Sequence, residues 1–316
     1  MQFGLSAAVR QSPDGRLSQE INDGLDGASL DGASSGLAVL IALIMLTMIE
    51  LINESQLLYD LPRSRTGAIS HRATTKSYWA DAVYVGFLFI AAYGAVYRNE
   101  SLLLEAYNNC RLYRDALQNK TTGLWAHIYN NDAGTFDDAG QWATGNAWAA
   151  KGTLNVATII EKSKLGNMTA QVQDLKLWVG EILNGTFSQL DKDKLVPNYM
   201  ERTGDGTFGD AAASSMLAAT AFRAATQWPT QFTQYVDPAN KIKDSVMSKI
   251  DDLGLLTPIV DQLSWQKIGI LGTESQAFGI MVYAAWRDYA KSVSVGVLHL
   301  PDARRFSHDK FGHGSF

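Results

Sequence analysis

Apolar positions recur along this chain at helical spacing, in segments of two alternating kinds. In one kind, apolar and small residues lie on nearly every face, as in a helix buried on most sides. Ser77–Tyr97, Trp142–Ile160, Asp210–Ala225 and Glu274–Tyr289 are of this kind. The other kind is one-sided. In Ser101–Leu117 the stripe is Leu102, Leu103, Tyr107, Cys110, Tyr113 and Leu117, and Val172–Leu183 and Ile242–Ile250 follow as shorter partners. The pattern predicts an all-α chain of repeated pairs, a buried helix then an outer one. The buried members begin near Ser77, Trp142, Phe208 and Thr273, a period of about 65 residues, which is the mark of a repeat architecture. Strand signals are sparse; Lys194–Met200 reads as a short strand or extended loop, and Ser292–Leu300 alternates like a strand.

The ends read differently from the middle. Ser12 to Ser35 is rich in Asp, Gly and Ser, so residues 1–35 are expected to be unstructured, 36–291 to form the helical domain, and 292–316 an irregular tail. Leu37–Ile49 is a run of apolar residues broken by Thr47. It is shorter than the roughly 18 residues of a membrane span, so a core helix is the favoured reading and a signal anchor the alternative.

Composition narrows the function. The net charge of −5 and the absence of a Lys/Arg run argue against nucleic-acid binding. A single cysteine, Cys110, permits neither an internal disulfide nor a Cys-based metal site, and its place on an apolar stripe marks it as a buried thiol. The five histidines show no metal-ligand spacing, so no metal is expected. Asn-x-Ser/Thr sequons at Asn53, Asn99, Asn119, Asn167 and Asn184 suggest a secreted protein, although the first thirty residues carry no recognisable signal peptide. Gly204–Gly209 matches GxGxxG, but Asp205 and Asp210 would repel a pyrophosphate, so a glycine-rich turn before a helix is expected.

What remains is a set of carboxylates and aromatic rings at the junctions where buried helices begin. Asp81, in Trp79-Ala80-Asp81, falls in the first turn of a mostly apolar helix. There it is either a cap or an acid whose pKa burial raises, as general-acid catalysis near neutral pH requires. Gly123 to His127 brings a histidine to the next junction. Trp142 to Trp148 places two tryptophans and Asn146 within about two turns. Trp142 and Trp148 do not share a helix face, so either Trp142 lies outside the helix or one ring looks into a mouth while the other packs. Core packing remains open for both. Asp138 and Asp210 are candidate helix caps.

Together these words resemble the six-hairpin glycosidases, specifically glycoside hydrolase family 105, the unsaturated rhamnogalacturonyl hydrolases, and the related family 88. The resemblance rests on Trp79-Ala80-Asp81, Gly123-Leu124-Trp125-Ala126-His127 and Trp142-Ala143-Thr144-Gly145-Asn146-Ala147-Trp148. Gly67-Ala68-Ile69-Ser70-His71-Arg72 is similar to the segment before the catalytic helix in fungal relatives. It implies an (α/α) barrel of six helical hairpins, and the short region before Asp81 predicts one incomplete at its N-terminus. It implies an oligosaccharide substrate: removal of an unsaturated uronic acid from pectin-derived chains by hydration of its vinyl ether, with no cofactor. Asp81 would be the catalytic acid and then the base. His71, Arg72, Trp79, His127, Trp142, Thr144, Asn146 and Trp148 would bind the sugar. Thr144 departs from the bacterial pattern, which has arginine there. An alternative expectation is therefore a catalytically impaired sugar-binding or structural remnant of the same fold, and a less favoured one a membrane-anchored protein.

Overall fold

The computed structural model describes Leu30 and residues 33–46, 61–204, 206–261 and 263–294. A first helix, α1 (Ala33–Leu46), precedes a helical stretch that opens as a π-helical turn (Val83–Phe87) and continues as α2 (Leu88–Val96). Then come α3 (Glu100–Leu117), α4 (Ala143–Ser163), α5 (Thr169–Phe187), α6 (Ala211–Gln227), a single turn α7 (Pro229–Phe232), α8 (Val236–Ser248) and α9 (Thr273–Val293). The inner helices are those at Val83, Ala143, Ala211 and Thr273, close to the roughly 65-residue repeat in the sequence.

The local reasons are legible. Asn99 caps α3 by accepting from the Leu102 amide, and Glu100 meets the positive helix end. The stripe from Leu102 to Leu117 is buried, Cys110 included, and burial pushes that thiol's pKa up. In α4 and α6 the residues are small on nearly every face, so neighbours approach closely. A Cβ on Gly152 would stand 2.5 Å from the carbonyl carbon of Val83, so glycine is what lets α4 lie against the π-helical turn. α6 packs between α4 and α9, with α8 outside it. α1 packs on the π-helical turn and α2 through Leu30, Gly36, Val39 and Leu40, against Gly86, Phe89 and Ala92. Leu37 to Leu46 is thus part of a helix laid on the core, and no helix among the described residues is long and apolar enough to cross a membrane. Residues 47–49 and Asn53 lie outside the described residues, while Asn99, Asn119, Asn167 and Asn184 are exposed.

Each inner helix is preceded by a small antiparallel pairing. β1 (Ser77–Trp79), β2 (Ile128–Asn130) and β3 (Thr135–Asp138) form one three-stranded sheet. β4 (Val196–Pro197) pairs with β5 (Gly209–Asp210), and β6 (Ile259–Asp261) with β7 (Ser264–Gly269). Among the described residues every strand pair is antiparallel; Gly204 and Gly206 have φ of +98° and +85°, the left-handed backbone of turns, and Gly209 begins β5.

Several expectations change. Ser77–Trp79 is not helical. It pairs with β2, Trp79 opposite Ile128, and the Ala80 amide donates to the His127 carbonyl, so long-range pairing overrides the apolar pattern there. Asp138 caps nothing: it ends β3, and α4 begins five residues later at Ala143. Asp210 does cap, accepting from the Ala212 amide. The helical domain begins inside the stretch read as unstructured, since Leu30 is buried and α1 starts at Ala33. α9 runs to Val293, two residues into the expected tail; residues 295–316 lie outside the described residues.

Candidate active site

The strand-bearing junctions gather at the ends where the inner helices begin, around a cavity of about 360 Å³. Four tryptophans line it: Trp79 from β1, Trp142 from the residue before α4, Trp148 from inside α4, and Trp265 from β7. Trp142 is in extended conformation at the N-cap position, so it sits outside the helix while Trp148 projects from it. The Trp142 indole donates to Asn198 Oδ1 at 3.0 Å, and the Asn198 amide donates to the Trp265 carbonyl at 2.7 Å, fixing both walls. Trp265 meets Trp79 edge-on with ring centroids 5.5 Å apart. Trp148 packs on Tyr84 and Phe278.

Asp81 lies in this cavity at the start of the π-helical turn, its carbonyl accepting from the Tyr84 and Val85 amides. Its side chain is 19% exposed, and Oδ2 has no hydrogen-bond partner among the described residues. Burial raises its pKa, only partly opposed by the His127 charge and a backbone hydrogen bond. His127 stands behind it, with a fully buried side chain and Nε2 3.7 Å from Asp81 Oδ2. That distance is too long for a hydrogen bond. The other ring nitrogen, Nδ1, lies 3.0 Å from Asp138 Oδ2. Asp138 also accepts from the Tyr199 hydroxyl at 2.6 Å and from the Gly140 amide at 2.9 Å. Burial alone would raise the Asp138 pKa, but the bonds from His127, Tyr199 and Gly140 outweigh it and hold the carboxyl below its ordinary value.

The other residues expected at the site divide. His71 and Arg72 line the cavity from the loop before β1. The His71 ring stacks on Trp79 at 4.9 Å, and burial, then the charges of Arg72 and His127, lower its pKa to about 3, so it is neutral. The Arg72 guanidinium sits 4.6 Å from the centre of the Trp79 ring, a cation–π contact. Thr144 lines the cavity but points its hydroxyl at Asp210 Oδ2, 2.8 Å away. Asn146 does not line the cavity. Its Oδ1 accepts from the Trp125 amide, and its Nδ2 donates to the carbonyls of Trp125 and Trp142, so the amide ties α4 to the segment that carries His127 into β2. The expected sugar contact of Asn146 is replaced by a structural one, because its hydrogen-bonding groups are already used by buried backbone. His127 likewise does not line the cavity; it packs against the lining rings of Trp142 and Trp265, behind Asp81.

Sequence reasoning missed Trp265, Tyr84 and Glu274, which line the same cavity, and the role of Asp138. Trp265 carried a signal: it lies just before the fourth inner helix, where the repeat places site residues. Asp138 carried none beyond being an acid at a junction.

This arrangement sets helical hairpins around a cavity that holds an acid and tryptophans at one end of the inner helices. The chain belongs to Glycosyl Hydrolase Family 88, whose family model matches residues 25–256. It is 26% identical over 157 residues to the unsaturated rhamnogalacturonyl hydrolase YesR of Bacillus subtilis strain 168. That match takes in 46% of this chain and 45% of YesR, so it spans less than half the length of this curated relative. Among solved structures, a family 105 glycoside hydrolase of C. acetobutylicum ATCC 824 superposes with a TM-score of 0.73 at 16% identity, covering 92% of this chain and 87% of that one. The unsaturated glucuronyl hydrolase of Bacillus sp. GL1 superposes with a TM-score of 0.65 at 13% identity, covering 82% and 74%. These likenesses show the six-hairpin (α/α) fold.

Proposed function

We propose that this chain removes an unsaturated uronic acid from the non-reducing end of rhamnogalacturonan-type pectin oligosaccharides, with Asp81 as acid and base. The carrying observation is the Asp81 carboxyl. Burial raises its pKa, Oδ2 lacks a hydrogen-bond partner among the described residues, and the group opens into a tryptophan-lined cavity of sugar size. In this reading Asp81 gives its proton to C4 of the C4=C5 vinyl ether, leaving positive charge shared by C5 and the ring oxygen. Water adds at C5 and returns a proton to the carboxylate. The hemiketal at C5 opens to a ketone, C1 becomes a hemiacetal, and the aglycone leaves as an alcohol. No step attacks the anomeric carbon, which distinguishes this route from two-carboxylate displacement.

The binding roles follow from the same cavity. Trp79, Trp142, Trp148 and Trp265 offer apolar faces to the sugar rings. Arg72 can pair with the uronate carboxylate in the fork geometry arginine favours. His71, neutral on Trp79, offers a hydrogen bond without adding charge.

The test is loss of the ultraviolet absorbance of unsaturated galacturonyl-rhamnose on adding purified protein. Turnover is expected, and Asp81→Asn should lower it by on the order of 100- to 10,000-fold. An unchanged rate in that variant, or no turnover by the wild type, would sink the proposal. One observation favours a second reading, a sugar-binding protein without catalysis: Thr144, where the family's bacterial pattern has arginine, gives its hydroxyl to Asp210 instead of the cavity. Calorimetric sugar binding without turnover would select that reading.

A further inference from the structure

We propose that Asp138 is a positioning residue for the acid, one that holds His127 as its Nδ1–H tautomer and thereby lets the buried Asp81–His127 pair keep a single proton. This inference deepens the proposed function and rests on it for its kinetic consequences.

The geometry gives Asp138 one chemical role. Three groups converge on its carboxylate, and all three approach as donors. The Gly140 amide can only donate. The Tyr199 hydroxyl stays a phenol, because burial and the adjacent carboxylate push its pKa up. An ionised carboxylate accepts only, so the His127 nitrogen facing it, Nδ1, must carry the hydrogen. In the neutral ring the lone pair is then on Nε2, the nitrogen 3.7 Å from Asp81 Oδ2. Both of those atoms are buried and unpartnered among the described residues, which is costly unless something joins them. A small closing movement on substrate binding would do so, as catalytic hydrogen bonds often tighten only in the complex.

The position is held from several sides. The Ala80 amide donates to the His127 carbonyl, and the His127 amide donates to the Gly140 carbonyl, each at 3.0 Å. Rings pack around the imidazole: Trp142 at 4.4 Å, Trp265 at 4.6 Å and Trp79 at 5.6 Å between centroids. The titratable and charged groups around the pair are these. His71, with Arg72 beside it, faces from the loop before β1; Tyr113 from α3; Tyr84 from the π-helical turn and Glu274 from α9, in the cavity that Asp81 lines; Asp138 from β3; Tyr199, with Arg202 over its ring and Glu201 nearby, from the loop after β4. Of these, Asp138 is the carboxylate bonded to the ring.

One proton on the pair gives either Asp81–COOH with neutral His127 or carboxylate with imidazolium. Losing it leaves the pair with a net negative charge next to the Asp138 anion. That anion disfavours the loss, in the same direction as the burial that raises the Asp81 pKa. After the attacking water has returned its proton to the Asp81 carboxylate, the lone pair on Nε2 can accept a hydrogen bond from that carboxyl and hold it for the next turnover.

The experiment combines kinetics with nitrogen NMR. In Asp138→Asn, one side-chain oxygen becomes an NH₂ donor, which favours the other tautomer, with the hydrogen on Nε2 facing Asp81. A tautomer-reversing change of this kind impairs serine-protease triads in the same way. For unsaturated galacturonyl-rhamnose, kcat should fall on the order of 10- to 100-fold with KM little changed. The alkaline limb of the pH profile should move down by on the order of one unit. Tyr199→Phe, which keeps the charge, should leave that limb in place. Imidazole nitrogen shifts of His127, assigned against His127→Gln, should show Nδ1 protonated in the wild type and not in Asp138→Asn. An unmoved limb, with activity falling only as far as thermal stability does, would make Asp138 merely structural and overturn the inference. So would an unprotonated Nδ1 in the wild type. If the wild type turns nothing over, the functional reading fails while the NMR result still decides the inference.

Discussion

Asp210 is a carboxylate with no exposure to water, yet it receives the Thr144 hydroxyl and the Ala212 amide. Burial outweighs those bonds and raises its pKa to about 6. The folded chain therefore holds a proton there that the unfolded chain, with an Asp pKa near 3.9, has already lost. The contribution is full below about pH 4 and fades as pH rises through 6, by roughly 3 kcal/mol in all. Asp210→Asn should remove that slope. Urea midpoints of the two proteins compared between pH 4 and 7 should differ in slope with that sign, and parallel curves would refute the assignment. The residue was legible in the sequence as a helix cap. Its burial was not, because burial depends on Thr144 and on the strand at Ile259, both far along the chain.

At the scale of elements, the repeat of buried and outer helices was plain in the apolar pattern, since a helix enclosed on all faces and one with a single wet face differ in composition. The strand Ser77–Trp79 was not, because three residues of β pairing are decided by the partner at Ile128–Asn130. The contact of α4 with the π-helical turn is a further case. Gly152 would place a Cβ 2.6 Å from the Val83 carbonyl oxygen, two residues from Asp81. Gly152→Ala should push the two apart and cost about 1–3 kcal/mol. A lower melting temperature together with reduced kcat is expected; unchanged melting would show that the backbone gives way freely.

Across the whole molecule, the cavity is assembled from segments as distant as Ser34 and Glu274. Trp265 belongs to the last of them and touches Trp79, His127 and Trp142. As an exposed-strand ring whose main contacts are other site rings, it should matter more to binding than to folding. Trp265→Ala should raise KM about tenfold, the equivalent of losing one aromatic contact of about 1 kcal/mol, with only a small change in melting temperature. A large loss of stability with KM unchanged would mark the ring as core.

The sequence by itself determined the helical repeat, the junctions where the candidate site residues lie and the family resemblance. Those are local facts: periodicity, capping chemistry and short words each fit within a few turns of chain. Tertiary structure alone decided what each of these side chains touches. It turned Asn146 into a backbone brace, placed His127 behind Asp81, and made Asp138 the anchor of that histidine. Hydrogen-bond partners 11, 21 and 61 residues apart settle those roles. A side chain's chemistry depends on which donors and how much water surround it, and only the packed fold brings those together.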